Sequence, residues 1–224
     1  MSWLDTLFQT VLVAVGLAQC PTSADLDAGV VLVSNNGATE STFTHRRVSG
    51  ELYLDTQVSS VFPDRWVSFR ERGAFLLYQQ KESGTAKKDQ TYDPAPHEIG
   101  EIAPGNEFVQ RQNWGNPDGS RRWQIEMTTA IVQSDQIQIG SCAYDAVEIQ
   151  DSGTLRYPDG SEKRYAKRSK FLPELSFLLP NNTEFSHIRA AKVKDGLPSN
   201  RDLWSQASSA AGVKAVLLMH RVPQ

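Results

Sequence analysis

Between Trp123 and Ile149 apolar and polar residues alternate. Trp123, Ile125, Met127, Thr129 and Ile131 fall on one parity, with Gln124, Glu126 and Thr128 on the other. A period of two is that of a strand with one buried face; on a helix Ile125 and Met127 would diverge. The polar Gln133-Ser134-Asp135 predicts a turn, after which Ile137, Ile139, Ser141, Ala143, Asp145, Val147 and Ile149 share a face. That phasing turns Cys142 away from the isoleucines. It also makes Asp145 a buried polar residue, which needs a tyrosine, an arginine or a backbone amide beside it, because an unpaired buried carboxylate is costly.

The same rhythm recurs along the chain. Strands are expected over 30–34 and 39–46, around Asn35-Asn36-Gly37, a strong hairpin signal, then over 48–58, 66–72 and 74–81. Pro21 to Leu26 reads as a short turn capped by Thr22 or Ser23 and ended by Gly29. From Glu82 to Asn106 the composition changes to Lys, Asp, Gly and Pro. Pro94, Pro96 and Pro104 argue for a long excursion rather than a central strand. Strand character resumes over 108–114. A turn at Asn116-Pro117-Asp118-Gly119 follows, then the central pair, a hairpin about Pro158-Asp159-Gly160, an apolar strand over 172–179 and a weaker one over 188–193. Residues 200–211 suit a short helix, and 213–222 a helix end or a closing strand. Strands separated by turn signals at this spacing predict an all-β fold. We expect an antiparallel meander of about nine to eleven strands, curved into an open barrel or half-barrel, with a short C-terminal helical or mixed appendage.

With 224 residues, 39% hydrophobic and 22% charged, one domain is expected. A formal charge of −3 provides no global basic field for nucleic acid. The basic clusters (His45-Arg46-Arg47, Lys87-Lys88, Arg121-Arg122 and Lys163 to Lys170) read as solvated charge. The N-terminus carries the compartment argument. Leu4 to Ala18 is largely apolar, its unbroken part is too short to span a bilayer, and Gly16-Leu17-Ala18 offers small residues for cleavage before Gln19. This is a secretory pattern, atypical in having Asp5 and no Lys or Arg ahead of the apolar run. The organisation expected is a signal peptide over 1–18, a β domain over 19–180 and an extension over 181–224 packed on it, without a transmembrane span. Alternatives are lipidation of Cys20 within Leu17-Ala18-Gln19-Cys20, or an N-terminal helix packed on the core. The two cysteines, Cys20 and Cys142, would pair in an oxidising compartment and remain free thiols in the cytosol.

Candidate chemistry is sparse. His45, His97, His187 and His220 form no metal-binding spacing, two cysteines cannot make a CxxC-type zinc site, and no GxSxG or phosphate-loop motif occurs. No catalytic residue, metal or cofactor is therefore assigned. The aromatic residues suggest binding instead. Trp114, Trp123, Tyr144, Tyr157, Tyr165 and Phe171 lie on expected strands or at their ends, and a curved sheet could turn them toward a hydrophobic ligand.

Two stretches resemble small uncharacterised secreted proteins of Gram-negative bacteria. One is Cys20-Pro21-Thr22-Ser23-Ala24-Asp25-Leu26 with Gly29 opening the first strand. The other is Ile139-Gly140-Ser141-Cys142-Ala143-Tyr144-Asp145, followed by Tyr165 and Pro173-Glu174-Leu175. The resemblance covers Cys20 to Leu179. It implies a periplasmic address and a Cys20–Cys142 bridge, and no particular activity. The strand rhythm is also similar to the open half-barrels of bacterial lipoprotein carriers. The expected function is that of a non-catalytic periplasmic or secreted envelope protein. It would bind a hydrophobic small molecule or an envelope protein through its curved sheet or the Glu82–Asn106 excursion. The alternatives are a hydrolase or isomerase using Asp145, His187 or Glu174 with an arginine, and a structural or assembly protein.

Overall fold

The alternating stretch at the centre of the chain forms the longest hairpin of the molecule. In the computed structural model, residues 19–192 are described apart from 38, 62–63, 84–86, 117, 119, 121 and 181–182. Within them the strands are β1 Val30–Asn36, β2 Thr39–Ser49, β3 Leu52–Ser59, β4 Trp66–Glu71, β5 Phe75–Lys81, β6 Lys87–Asp93, β7 Glu107–Gly115, β8 Trp123–Ile139, β9 Cys142–Arg156, β10 Glu162–Leu172, β11 Phe177–Leu178 and β12 Phe185–Ala190. All belong to one 12-stranded sheet, in which each strand from β1 to β11 pairs with its sequence neighbour and β12 returns to pair with β1. The fold is a curved, open antiparallel meander, not closed into a barrel. Its two edges meet through side chains: the rings of Phe177 and Phe185 lie 6.3 Å apart, edge to face. The expected signal peptide, and the helix and closing segment after residue 192, lie outside the described residues.

The centre of the sheet departs from expectation in an instructive way. Gln133-Ser134-Asp135 is not a turn. β8 runs through it for 17 residues and reverses only at Gly140-Ser141, where Gly140 supplies a positive φ of 59°. Residues 132–136 are exposed, so their polarity marks a solvated part of a strand rather than its end. A bulge at Ile131/Gln133 then shifts the pairing. Beyond it Ile137 faces Tyr144 and Ile139 faces Cys142 across the hairpin. The buried side of β9 accordingly passes from Cys142, Tyr144 and Ala146 at the tip to Val147 and Ile149 further on. Two expectations fall with this phase. Cys142 sits with Ile139 in one core cluster rather than turned away from it. Asp145, between Tyr144 and Ala146, is exposed and not a buried polar residue.

Other boundaries moved for local reasons. Lys87–Asp93 forms β6 inside the expected excursion, ending where Pro94 begins. The apolar run 172–179 is not one strand: β10 ends at Leu172 and a turn over 173–176 precedes β11. At the other end, Thr22 caps a 3-10 turn over Ser23–Asp25 through a reciprocal capping box with Asp25.

The hairpin tip completes the core. It lies over β1, β12 and the turn after β10, burying Leu26, Val30, Leu32, Ile139, Cys142, Tyr144, Leu175, Phe185 and Ile188 together. The approach is close enough that a Cβ on Gly140 would come 3.0 Å from the Ser186 carbonyl. Cys20 and Cys142 form a disulfide, with 5.5 Å between Cα atoms and 122 residues between them in sequence. In the chain-entropy model a loop of that length stabilises by about 4–5 kcal/mol. Beside it the Tyr144 hydroxyl donates to the Pro21 carbonyl at 2.9 Å. A second cluster, with Phe75, Ile102, Ile131, Val147, Ile149 and Phe171, fills the opposite end, and the chain after Pro94 covers it. Arg72 anchors that covering chain by donating to the carbonyls of Pro96, Ile99 and Gly100 at 2.9–3.3 Å.

Candidate functional site

Between the two clusters the inner face of the sheet is not filled. A partly open cavity of about 500 Å³ remains. Its walls come from strand positions two apart, which is how a period-two pattern lines one face. β8 contributes Ile125, Met127 and Thr129, β9 Ile149 and Asp151, β10 Tyr165, Lys167 and Ser169, and β7 Gln112 and Trp114. Phe75, Tyr92 and Phe108 supply further aromatic surface, and Asp55 and Arg70 stand in the wall formed by β3 and β4.

Register explains the charged groups. His45 and Asp55 lie directly opposite across the β2–β3 hairpin, and Arg70 reaches Asp55 from β4. His45 Nδ1 is 2.5 Å from one Asp55 oxygen, and Arg70 Nε donates to the other at 2.6 Å. His45 Nε2 faces the Leu175 carbonyl at 3.0 Å, so each ring nitrogen meets an oxygen of the protein. The ring is fully buried, stacked on Tyr53 and packed against Phe177. Burial would raise the Asp55 carboxyl, but the His45 and Arg70 charges outweigh it and hold the group below its ordinary value. His45 is therefore not part of a solvated basic cluster, as the sequence suggested.

Across the cavity, Thr129, Asp151 and Lys167 stand side by side on β8, β9 and β10. Thr129 Oγ1 donates to Asp151 at 2.7 Å. Burial raises the Asp151 carboxyl, partly offset by Thr129 and Lys167. Burial lowers the Lys167 ammonium, Asp151 works against that, and the nearby Arg70 charge adds to it. Tyr165 is pushed up to about 12 by burial and by Asp151.

Of the six aromatic residues expected to face a ligand, the structure brings Trp114 and Tyr165 to the cavity wall. Trp123 lies behind Trp114, ring on ring at 4.7 Å. Tyr144 is sealed beside the disulfide, with its hydroxyl pushed up to about 12 by burial. Phe171 is buried in the cluster under the Pro94 segment, and Tyr157 sits at the β9–β10 turn, away from the cavity. Asp145, His187 and Glu174, the residues of the enzymatic alternative, are all exposed, and none of them lines the cavity. Sequence reasoning missed Phe75, Tyr92, Phe108, Lys167 and the His45–Asp55–Arg70 cluster. One signal was present for the last: His45 and Asp55 are equidistant from Gly50, the turn glycine with a φ of 50°. Among the described residues no group of three or more His, Cys, Asp or Glu comes together as metal ligands, and no helix is long and apolar enough to cross a membrane.

Fold and site together define a curled antiparallel β-protein with an internal, aromatic-lined cavity. No family model matches the sequence, and no curated protein matches it. Among solved structures, the hypothetical lipoprotein YmcC from Escherichia coli K12 is similar at a TM-score of 0.41 and 13% identity, over 80% of this chain and 86% of that one. Similarity at that level carries no argument about what this chain does.

Proposed function

We propose that this chain is an exported, non-catalytic β-protein that holds a small hydrophobic ligand in the hollow of its sheet. The observation that carries the reading is the cavity of about 500 Å³ on the inner face, walled by Phe75, Phe108, Trp114, Ile125 and Met127. Ligand sites of small molecules usually measure about 300–1,000 Å³, mostly apolar with a few placed polar groups. A core of this size would ordinarily close over such a space, since interiors are packed near crystal density. Export is supported by the Cys20–Cys142 disulfide, a bond that persists in oxidising compartments. The non-catalytic part is supported by His45, whose ring nitrogens both face structural acceptors.

The test is a fluorescence titration of the oxidised full chain with N-phenyl-1-naphthylamine, an uncharged dye that brightens in apolar surroundings. Saturable binding is expected, lost when the cavity is filled by Ile125→Trp with the melting temperature kept. No saturable binding, or binding unaffected by the filled cavity, would overturn the reading.

A further inference from the structure

One charged group in the cavity wall has no described residue at contact distance to neutralise it. Lys167 projects from β10 onto the inner face, where its neighbours at positions 165 and 169 also line the cavity. Among the described residues its ammonium makes no hydrogen bond and no ion pair within 4.0 Å. Asp151 is its partner in register, yet an Asp151 oxygen is occupied by Thr129 at 2.7 Å. Facing it, Arg70 uses Nε on Asp55 and Nη1 on the Ala74 carbonyl, which leaves Nη2 without a hydrogen-bond partner among the described residues. The carboxylates lining the same cavity are thus engaged, Asp55 by His45 and Arg70 and Asp151 by a hydroxyl. The cationic donors are the groups with capacity left; burial depresses the Lys167 ammonium first, Asp151 opposes that, and the Arg70 charge adds to it. Lys167 is half-buried, and an anion placed against its ammonium would meet a charge-assisted donor with the Arg70 charge nearby.

We propose that the cavity selects an amphipathic anion, seating its acidic group on the Lys167 ammonium beside Arg70 and its apolar body against Phe75, Phe108 and Trp114. The proposal rests on the cavity being a ligand site at all, and the test separates the two.

The probes are a matched pair: N-phenyl-1-naphthylamine and 8-anilinonaphthalene-1-sulfonate share one ring system and differ by the sulfonate. The folded full chain is expected to bind the sulfonate at least about tenfold more tightly, the scale of one charge-assisted hydrogen bond. Lys167→Met abolishes that preference and leaves the uncharged dye unaffected, whereas Lys167→Arg keeps it. Dodecanoate displaces the bound sulfonate and dodecanol does not. Equal affinity for both dyes, a preference that survives Lys167→Met, or equal displacement by acid and alcohol each overturns the anion seat while leaving a hydrophobic site in place. Failure of both dyes to bind overturns the underlying reading and this one with it. Should Lys167→Met not fold, the dye pair and the competition on the unmodified chain decide the question.

Discussion

Two groups of charged side chains face the inside of this sheet, and they are built differently. On the β2–β4 side, His45, Asp55 and Arg70 satisfy one another across three adjacent strands, and the Leu175 carbonyl takes the remaining histidine nitrogen. On the β8–β10 side, Thr129 holds Asp151 while the Lys167 ammonium has no bonded partner among the described residues. The first arrangement is closed but for the outer Arg70 nitrogen; in the second the ammonium itself is open. Buried charge is tolerated when it is paired and hydrogen-bonded. The closed cluster is therefore structure, pinning the turn after β10 onto the opposite wall. The open pair belongs to a surface that expects company.

Substitutions should separate the two sides by size. The largest effect is expected from Asp55→Ala, which strands the buried His45 and Arg70 without their carboxylate. It should destabilise by about 3–5 kcal/mol, read from urea denaturation at neutral pH. A loss under about 1 kcal/mol would remove the contrast.

Next comes a difference of sign in pH dependence. The folded Asp55 carboxyl lies below its unfolded value of about 3.9, so its stabilisation is present at neutral pH and is lost as pH falls through the folded value. The folded Asp151 carboxyl lies above that value. Its contribution is fully present below about pH 3.9 and is lost as pH rises through the folded value. Asp55→Asn should thus flatten the acid limb of the stability curve. Asp151→Asn should gain on the unmodified chain as pH rises from about 4 toward neutrality. The same slope change in both variants would contradict the assignment.

The smallest effect is expected at Lys167. Lys167→Met removes an ammonium without breaking a hydrogen bond, so stability should change by less than about 1 kcal/mol in either direction. A loss of several kcal/mol would show that Lys167 is paired after all and sharpen the comparison in the other direction.

These two sides also differ in how far the sequence announces them. The strand rhythm was legible because alternation of side chains is a local property, and it led to the open antiparallel meander. Phase within the longest hairpin was not legible. A bulge at Ile131/Gln133 leaves no compositional mark, and Gln133-Ser134-Asp135 has turn-like polarity only because that part of β8 is solvated. Asp145 and Cys142 were placed on the wrong faces by that single slip. β6 was hidden because its cavity-facing positions are Gln90 and Tyr92 rather than aliphatics, as suits a strand facing a polar-rimmed cavity. Lys167 was read as part of a solvated run from Lys163 to Lys170. In fact alternate members of that run, Tyr165, Lys167 and Ser169, line the cavity. Trp114 and Tyr165 could be chosen as ligand-facing by residue type, but Tyr144 and Phe171 carry the same type into sealed core. Only the register of distant strands distinguishes them.

The most direct test of a ligand cavity uses the Trp114 indole N–H, which is buried on the cavity wall and has no hydrogen-bond partner among the described residues. Titrating the isotope-labelled full chain with 8-anilinonaphthalene-1-sulfonate, we would follow the tryptophan indole and methyl signals by two-dimensional NMR. The account predicts saturable shifts of the Trp114 indole and of the Ile125 and Met127 methyls, with Ile139 beside the disulfide unmoved. Shifts confined to residues outside the cavity, or none at saturating dye, would contradict it.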